Sequence, residues 1–481
     1  MNPARSILAL AAALSLAACN QANTPPATEQ PPAVQQPGTG TGQQPGTSSP
    51  TPPTTDGGSQ ISCGTKGSPG QPGSPDSSFG QGGVLTIDFG SPFDAVPSIA
   101  VTPQGCVVAI VTRGDSNGAW PSTVAHFTAT GQLDSTFDGD GRVDVARGHD
   151  RLLVQVDGKV ITGGAGPLLY GTSAGGMTIT RLNSDGSLDA TFDGDGHLQT
   201  DFDVRDVALQ ADGKIVAIGQ QGRGNPSSTD DLLSLARYNP DGSPDASFGR
   251  GGRVAIKRSD TGPGSYYPHY ENLPSRRLTV APDGKIVTAG TASYTYTSNG
   301  GLFGAAYAVM RFNSDGSVDS QFGNNELPGL WGHWCNRFCI HEVADVAVAN
   351  DGRPLLALGS TVTWVSADGK NHGSWNVQSP YEVSGTSGVR ALAVQADGKV
   401  VTAARAYTSR ENQPKETMVV ARLLTDGQLD ATFGGNGKVY VQSAASAFSD
   451  AIALDGSDAL LIAGQAGDNG AWDAAIARLW R

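Results

Sequence analysis

Three observations predict an all-β fold, a seven-bladed β-propeller of four-stranded antiparallel blades. A twelve-residue phrase, Arg181-Leu182-Asn183-Ser184-Asp185-Gly186-Ser187-Leu188-Asp189-Ala190-Thr191-Phe192, returns at 237–248, 311–322 and 422–433, and clipped copies end at Phe79 and Phe137. Between the phrases, short apolar runs alternate with Asp-Gly turns. The chain also opens on a clipped phrase and closes on the run that precedes one elsewhere, so its two ends complete one period. Repetition of one supersecondary unit is the mark of propellers and solenoids.

The first element is an export signal over residues 1–18. Arg5 supplies a positive start, Ile7 to Leu16 are almost wholly apolar, and Leu16-Ala17-Ala18-Cys19 closes the segment. The apolar run is about half of what a bilayer-spanning helix requires, which argues against a transmembrane segment. Leu16-Ala17-Ala18-Cys19 resembles the bacterial lipobox. That resemblance implies cleavage before Cys19 and diacylglyceryl attachment to its thiol, with the protein extracytoplasmic in the cell envelope and lipid-anchored. Ordinary secretion, with Cys19 left in the discarded peptide, is the alternative. Residues 19–73 are then a stalk of Pro, Gly, Gln, Thr and Ser with almost no large apolar residue. Such a composition cannot offset its ordering entropy and is expected to be disordered. Proline keeps it semi-extended, with a reach on the order of 100 Å.

Residues 74–481 form the propeller. Charged residues are 16% and Gly 65 of 481, a composition for tight turns rather than solvated helices. Four runs recur in each unit. A short β-prone run such as Arg142-Val143-Asp144-Val145 follows the phrase. An apolar run such as Val207-Ala208-Leu209 enters Asp212-Gly213, and Ile215-Val216-Ala217-Ile218 leaves it. A fourth run, Leu233-Ser234-Leu235-Ala236, leads into the next phrase. Asp-Gly between two such runs is a strong hairpin signal. The hairpin occurs seven times, at Gly105, Gly158, Gly213, Gly284, Gly352, Gly398 and Gly456. A decayed phrase from Ser366-Ala367-Asp368-Gly369 to Trp375 brings the phrases to seven, spaced 53 to 58 residues apart with one interval of 74. An open β-solenoid is the alternative, but it would need polar caps over its terminal edges.

Ala236-Arg237-Tyr238-Asn239-Pro240-Asp241-Gly242-Ser243 through Phe248-Gly249, with hairpins such as Gln210-Ala211-Asp212-Gly213-Lys214-Ile215-Val216, resembles the bacterial delta-60 repeat. The resemblance covers nearly all of 74–481. It implies a propeller-like, often exported protein and assigns no role. The sequence departs from it at Trp375, where Phe-Gly is lost, and at Pro354, where Lys-Ile usually follows Asp-Gly.

Antiparallel order places the Asp-Gly turns and the phrases at one rim and the variable loops at the other, where binding is expected. Two units load that rim with aromatic residues and histidines. The fourth carries Tyr266, Tyr267, His269 and Tyr270 in one loop and Tyr294 and Tyr296 in another; the fifth carries Trp331, His333, Trp334 and His341. Rings on polar loops serve contact with sugar, peptide or protein, or fold inward over the end of the ring. Cys335 and Cys339 lie between His333 and His341, a zinc set by residue type. Outside the cytoplasm a Cys335–Cys339 disulfide is the favoured reading, leaving Cys63 and Cys106 to clip the stalk base to the first unit.

The remaining motifs carry less. Gly171-Thr172-Ser173-Ala174-Gly175 fits the nucleophile-elbow pattern but lies in a Gly-rich loop rather than between a strand and a helix. Phe137-Asp138-Gly139-Asp140-Gly141 and Phe192-Asp193-Gly194-Asp195-Gly196 resemble calcium loops but lack the further carboxylates, so a turn role is favoured. The repeated phrase Asp is structural, because a catalytic group is needed only once. A formal charge of −13 with no basic stripe argues against nucleic acid. The expectation is a monomeric binding or scaffold protein with no cofactor, whose partner is a protein, peptide or carbohydrate. The alternative is a carbohydrate-active hydrolase or lyase at the same rim or in the central channel, drawing on His149, Asp150, His269, Glu271, His333, His341 or Glu342.

Overall fold

The computed structural model describes residues 63–481 except 115–120, 165–177, 221–230, 258–268, 274–275, 297–301, 324–327, 337–342, 378–387, 411–412, 442–445, 457 and 469–470. The signal segment, Cys19 and the stalk through residue 62 lie outside the described residues, and all described ones belong to one compact unit, Gln60–Arg481. They hold twenty-nine strands, β1 to β29 in chain order, and no helix.

The strands hydrogen-bond into six sheets. Five are separate antiparallel blades, at residues 151–199, 203–257, 269–336, 343–376 and 388–441, four-stranded except the third, which has five. The sixth is an eight-stranded sheet built from both chain ends. Seven separate blades were expected; five are seen beside this merged sheet, because one parallel bridge, Phe93↔Trp472, joins β2 (Phe93–Val101) to β29 (Ala471–Trp480). The open solenoid is also corrected. β1 (Val84–Ile87) pairs antiparallel with β29, Asp76 N donates to Arg478 O (2.9 Å), and Gly73 N donates to Trp480 O (2.8 Å).

The phrase repeats because five units use the same Arg–Asp–Phe contacts. Its Arg ends a blade's third strand and donates through Nε to the phrase Asp eight residues on: Arg181 to Asp189 (2.6 Å), Arg237 to Asp245 (2.7 Å), Arg311 to Asp319 (2.8 Å) and Arg422 to Asp430 (2.8 Å). The lysine after each Asp-Gly turn meets the same carboxylate, as Lys159 does with Asp189 (2.8 Å) and Lys399 with Asp430 (3.1 Å). Burial pushes the Asp189 carboxyl up, but bonds from Lys159 and Thr191 and the Arg181 charge outweigh it and hold it well below the usual range. The guanidinium then covers the phrase Phe, 4.3–4.7 Å above Phe192, Phe248, Phe322, Phe433 and Phe79. Each Phe is buried and packs into the next blade, as Phe248 does with Leu273 and Leu278.

The residue after the Phe donates to the next blade's phrase: Asp193 N to Asp241 O (2.8 Å) and Gly249 N to Asp315 O (2.8 Å). It has positive φ at Asp138 (51°), Asp193 (50°) and Gly249 (54°), which restricts the position to Gly or Asp. Asp140 and Asp195 cap their own turns through Arg142 N and His197 N (2.8 Å each), so these segments act as turns. In the decayed copy Trp375 takes the ring position, Trp364 stands where other units have Arg, and Arg353 covers both rings at 5.6 Å. Pro354 opens its strand, where a missing N–H is tolerated.

Cys63 to Gly73, assigned above to the stalk, pack on the propeller. Cys63 is disulfide-bonded to Cys106 with Cα atoms 5.0 Å apart, Ala129 N donates to Cys63 O (2.7 Å), and Lys66 pairs with Asp455 (2.8 Å). Backbone and ion-pair contacts hold this Gly- and Pro-rich segment, which is why composition alone misplaced the boundary.

Candidate functional site

Two places combine partial exposure with unusual chemistry. The first lies on the blade of residues 269–336. It consists of β14 (His269–Asn272), β15 (Arg277–Val280), β16 (Ile286–Tyr296), β17 (Leu302–Phe312) and β18 (Leu330–Asn336), in the order β14-β16-β17-β18, with β15 paired to the start of β16. Several residues expected in loops therefore lie on strands. Register sets Tyr270 opposite Tyr294, His269 opposite Thr295, Trp334 opposite Ala306 and His333 opposite Tyr307, with Tyr296 at the end of β16. Tyr266, Tyr267, His341 and Cys339 are outside the described residues.

Trp331 is not a surface ring. It is fully buried against Val309, Val343 and Leu356, because β18 is the outer strand of its blade and turns this position toward the next. His333, two residues on, is half-buried and stacks on Tyr307 at 5.0 Å. Exposed His372, which opens β22 (His372–Asn376) of the neighbouring blade, meets His333 edge-on at 5.1 Å and Trp331 at 5.2 Å. Burial, and then the neighbouring His372, hold the His333 pKa below the ordinary imidazole value. Sequence reading missed Tyr307 and His372. Tyr307 sits mid-strand with no motif, and His372 is joined to the group only by blade packing.

The second place is the ring's axis, where the innermost strands enclose a cavity of about 150 Å³ lined by Arg151, Arg277, Asp345, Arg390 and Asp450. Asp345, Arg390 and Asp450 sit at or beside bulges in the inner strands, where one extra residue turns a side chain off the ladder. Arg151 Nε lies 3.3 Å from Asp206 and 4.0 Å from Asp150. Asp206 Oδ2 accepts from Leu278 N (2.9 Å), Asp345 Oδ2 from Leu392 N (2.8 Å), and Ser98 Oγ from Leu152 N (3.2 Å). Three blades thus satisfy inner-edge N–H groups of their neighbours, groups that would otherwise be orphaned. Burial raises the pKa of Asp150, Asp345 and Asp450, and burial with Arg277 and Arg151 beside it brings Arg276 down to about 10. With both signs interleaved and the carboxylates of Asp206 and Asp345 committed to backbone, the channel is a girdle between blades.

Among the described residues, His149 and Asp150 lie on a different blade from His333. His149 is fully buried, with Nδ1 2.8 Å from Thr162 Oγ1 and Nε2 3.3 Å from Thr178 Oγ1, while Asp150 lies beside Arg151. His269 and Glu271 lie on β14, and Ser173, His341 and Glu342 are outside the described residues. Cys106, His126 and Asp134 cluster with metal-like spacing, but the disulfide takes the Cys106 sulfur, and His126 (3.2 Å from Asp134) replaces the phrase Arg in the first unit, stacked on Phe137 at 4.9 Å. Cys335 lies on β18 opposite Ala305, and Cys339, its partner in the zinc and disulfide readings, falls outside the described residues.

The fold and these contacts define a β-propeller protein with four-stranded antiparallel blades. Four of its repeats, residues 155–192, 210–248, 281–322 and 395–433, match the family model described as "Domain of unknown function (DUF5122) beta-propeller". No curated protein matches the chain. Among solved structures it is similar to an extracellular domain from B. thetaiotaomicron (12% identity, TM-score 0.42), covering 82% of this chain and 40% of that one. It is also similar to a Hadza microbial sialidase (13%, 0.38; 81% and 66%) and to the PQQ-bound aldose sugar dehydrogenase of Streptomyces coelicolor (11%, 0.34; 83% and 98%). The chain thus spans less than two thirds of the first two.

Proposed function

We propose that the protein is a binding module that takes a protein, peptide or carbohydrate partner along the blade of residues 269–336. One observation carries this reading: among the described residues only this blade has a fifth strand, and β14 lays His269 and Tyr270 beside Thr295 and Tyr294. β14 and β15 follow one another along the same edge of β16, so the extra strand lengthens that edge, and a lengthened edge offers a ledge of the kind peptide strands and sugar rings use. The half-buried Tyr307 and His333 and exposed His372 continue it toward the next blade. No comparable observation favours a hydrolase or lyase.

The test is capture from envelope extracts by the full-length protein and by its Tyr294→Ala/Trp334→Ala and His333→Ala/His372→Ala variants. We expect the variants to keep the wild-type circular dichroism spectrum and to lose the captured partner. Equal capture by all three would refute the reading. Deleting residues 328–343 is not a usable control, since it removes β18.

The same proposal places the module outside the cytoplasm, on a stalk anchored through Cys19. The Leu16-Ala17-Ala18-Cys19 segment supports this, as does a Cys63–Cys106 disulfide suited to an oxidising compartment. Cys19→Ser is expected to move the protein from the membrane fraction to the soluble fraction. We further propose a ring of seven repeats, in which the eight-stranded sheet is two blades, β2 to β5 (Arg142–Val145) and β27 (Ser446–Asp455) to β29 with β1, meeting at one bridged pair.

A further inference from the structure

A second binding site lies where the ring closes. Asp88 follows β1, Asp94 is the second residue of β2, and Asp473 is the third residue of β29, so chain closure alone brings them together. One carboxylate oxygen from each lies within 4.8 Å of the others. Asp88 is exposed, Asp473 half-buried and Asp94 fully buried. Asp94 Oδ2 accepts from Phe89 N (2.6 Å), but its Oδ1 has no hydrogen-bond partner. The Ser91 hydroxyl nearby gives its hydrogen to Gly114 O (2.6 Å). Arg113, the register partner of Asp94, turns its guanidinium to Asp144 (2.8 Å). Burial, and then the negative charges of Asp88 and Asp473, push the Asp94 carboxyl up to about 6 against the Phe89 N–H and the nearby Ser91 hydroxyl.

A buried carboxylate with a spare oxygen, faced by two more carboxylates, lacks the counter-charge that buried ions require. We propose that Asp88, Asp94 and Asp473 bind a calcium ion at the seam of the ring. Oxygen-only donors select a hard cation over zinc or copper. Oxygens bound at about 2.4 Å on opposite sides of one calcium are separated by about 4.8 Å, so the spacing fits a single ion. Phe93↔Trp472 pairing and the Trp472 N to Pro92 O bond (3.0 Å) hold the ligand-bearing strands in place without it. A bound ion would pin the first inner strand to the last strand of the chain. The site is on different blades from the proposed partner ledge and stands independently of it.

The experiment is thermal melting of the full-length protein in EDTA and in calcium at a hundredfold excess over Kd. Wild type should rise by at least about 2 °C. Asp94→Asn should show no calcium shift, and its melting temperature in EDTA should equal or exceed that of wild type, because the unpaired charge is gone. Magnesium should give less than half the calcium shift, since it demands a tighter octahedron and sheds water reluctantly; an equal shift overturns the calcium assignment. Should Asp94→Asn fail to fold, terbium emission sensitised by Trp472, displaced by calcium and lost in Asp473→Asn, gives an independent reading. Absence of both calcium shift and terbium emission in wild type, or their persistence in the variants, overturns the site.

Discussion

Arg478→Ala is expected to lower unfolding stability by about 3–5 kcal/mol, the range for removing one partner of a buried ion pair. Arg478 is fully buried, and its Nε donates to Asp76 Oδ2 at 2.7 Å. The guanidinium lies 4.7 Å above Phe79 and also reaches Ser78 Oγ (3.3 Å). These are the Arg–Asp–Phe contacts of the four full phrases, but here Asp, Ser and Phe come from the start of the chain and Arg from its end. Burial drives the Asp76 carboxyl up, and the Ser78 hydrogen bonds with the Arg478 charge more than reverse it, leaving it below the ordinary range. Alanine would strand that carboxylate and uncouple β1 from β29. Urea denaturation followed by tryptophan fluorescence reads the loss. Arg478→Met with Asp76→Leu should recover part of it, because an apolar pair leaves no orphaned charge. A loss below about 1 kcal/mol for Arg478→Ala would mean that closure rests on strand pairing alone.

That closure was legible before any coordinates, since the clipped phrase at Phe79 and the terminal run at Ile476 are halves of one unit. Phrase positions were legible because five units remake the same Arg–Asp–Phe contact, and repetition separated structural Asp189 from any catalytic carboxylate. Trp331 was misread for a local reason. Strand Arg142–Val145 starts five residues after Phe137, whereas β18 starts eight after Phe322, and this displacement made a strand look like a loop. The channel charges were hidden in part because a bulge, not the strand period, sets Asp345, Arg390 and Asp450 at the axis. Asp88, Asp94 and Asp473 were out of reach for a different reason. Two lie near one end of the chain and one near the other, and only the register of β2 against β29 joins them.

His149 is expected to contribute acid sensitivity well above the usual carboxylate range, read as a difference between wild type and a His149 variant. Burial pushes its pKa down to about 4 against the opposing Thr178 hydrogen bond, with His197 adding to the drop. Between pH 6.5 and 4 the unfolded chain therefore carries a proton on His149 that the native state does not. The His149 contribution must fall as pH falls through that window, by up to 1.4 kcal/mol per unit and on the order of 3 kcal/mol in all, while Asp94, raised to about 6, contributes with the opposite sign. Above pH 6.5 the contribution is complete and flat. Below about 4 a second loss begins, as Asp76, Asp189, Asp245, Asp319 and Asp430, all held low in the native state, take up protons more readily when unfolded. His149→Gln keeps an amide for Thr162 and Thr178 but cannot titrate. Urea unfolding of both proteins at pH 7.5, 6, 5 and 4.5 isolates the effect, since the other groups cancel in the difference. The wild-type advantage, whatever its size at pH 7.5, should shrink by 2–3 kcal/mol toward pH 4.5. Parallel curves would mean that His149 titrates freely in the native state and that its burial is breached by water.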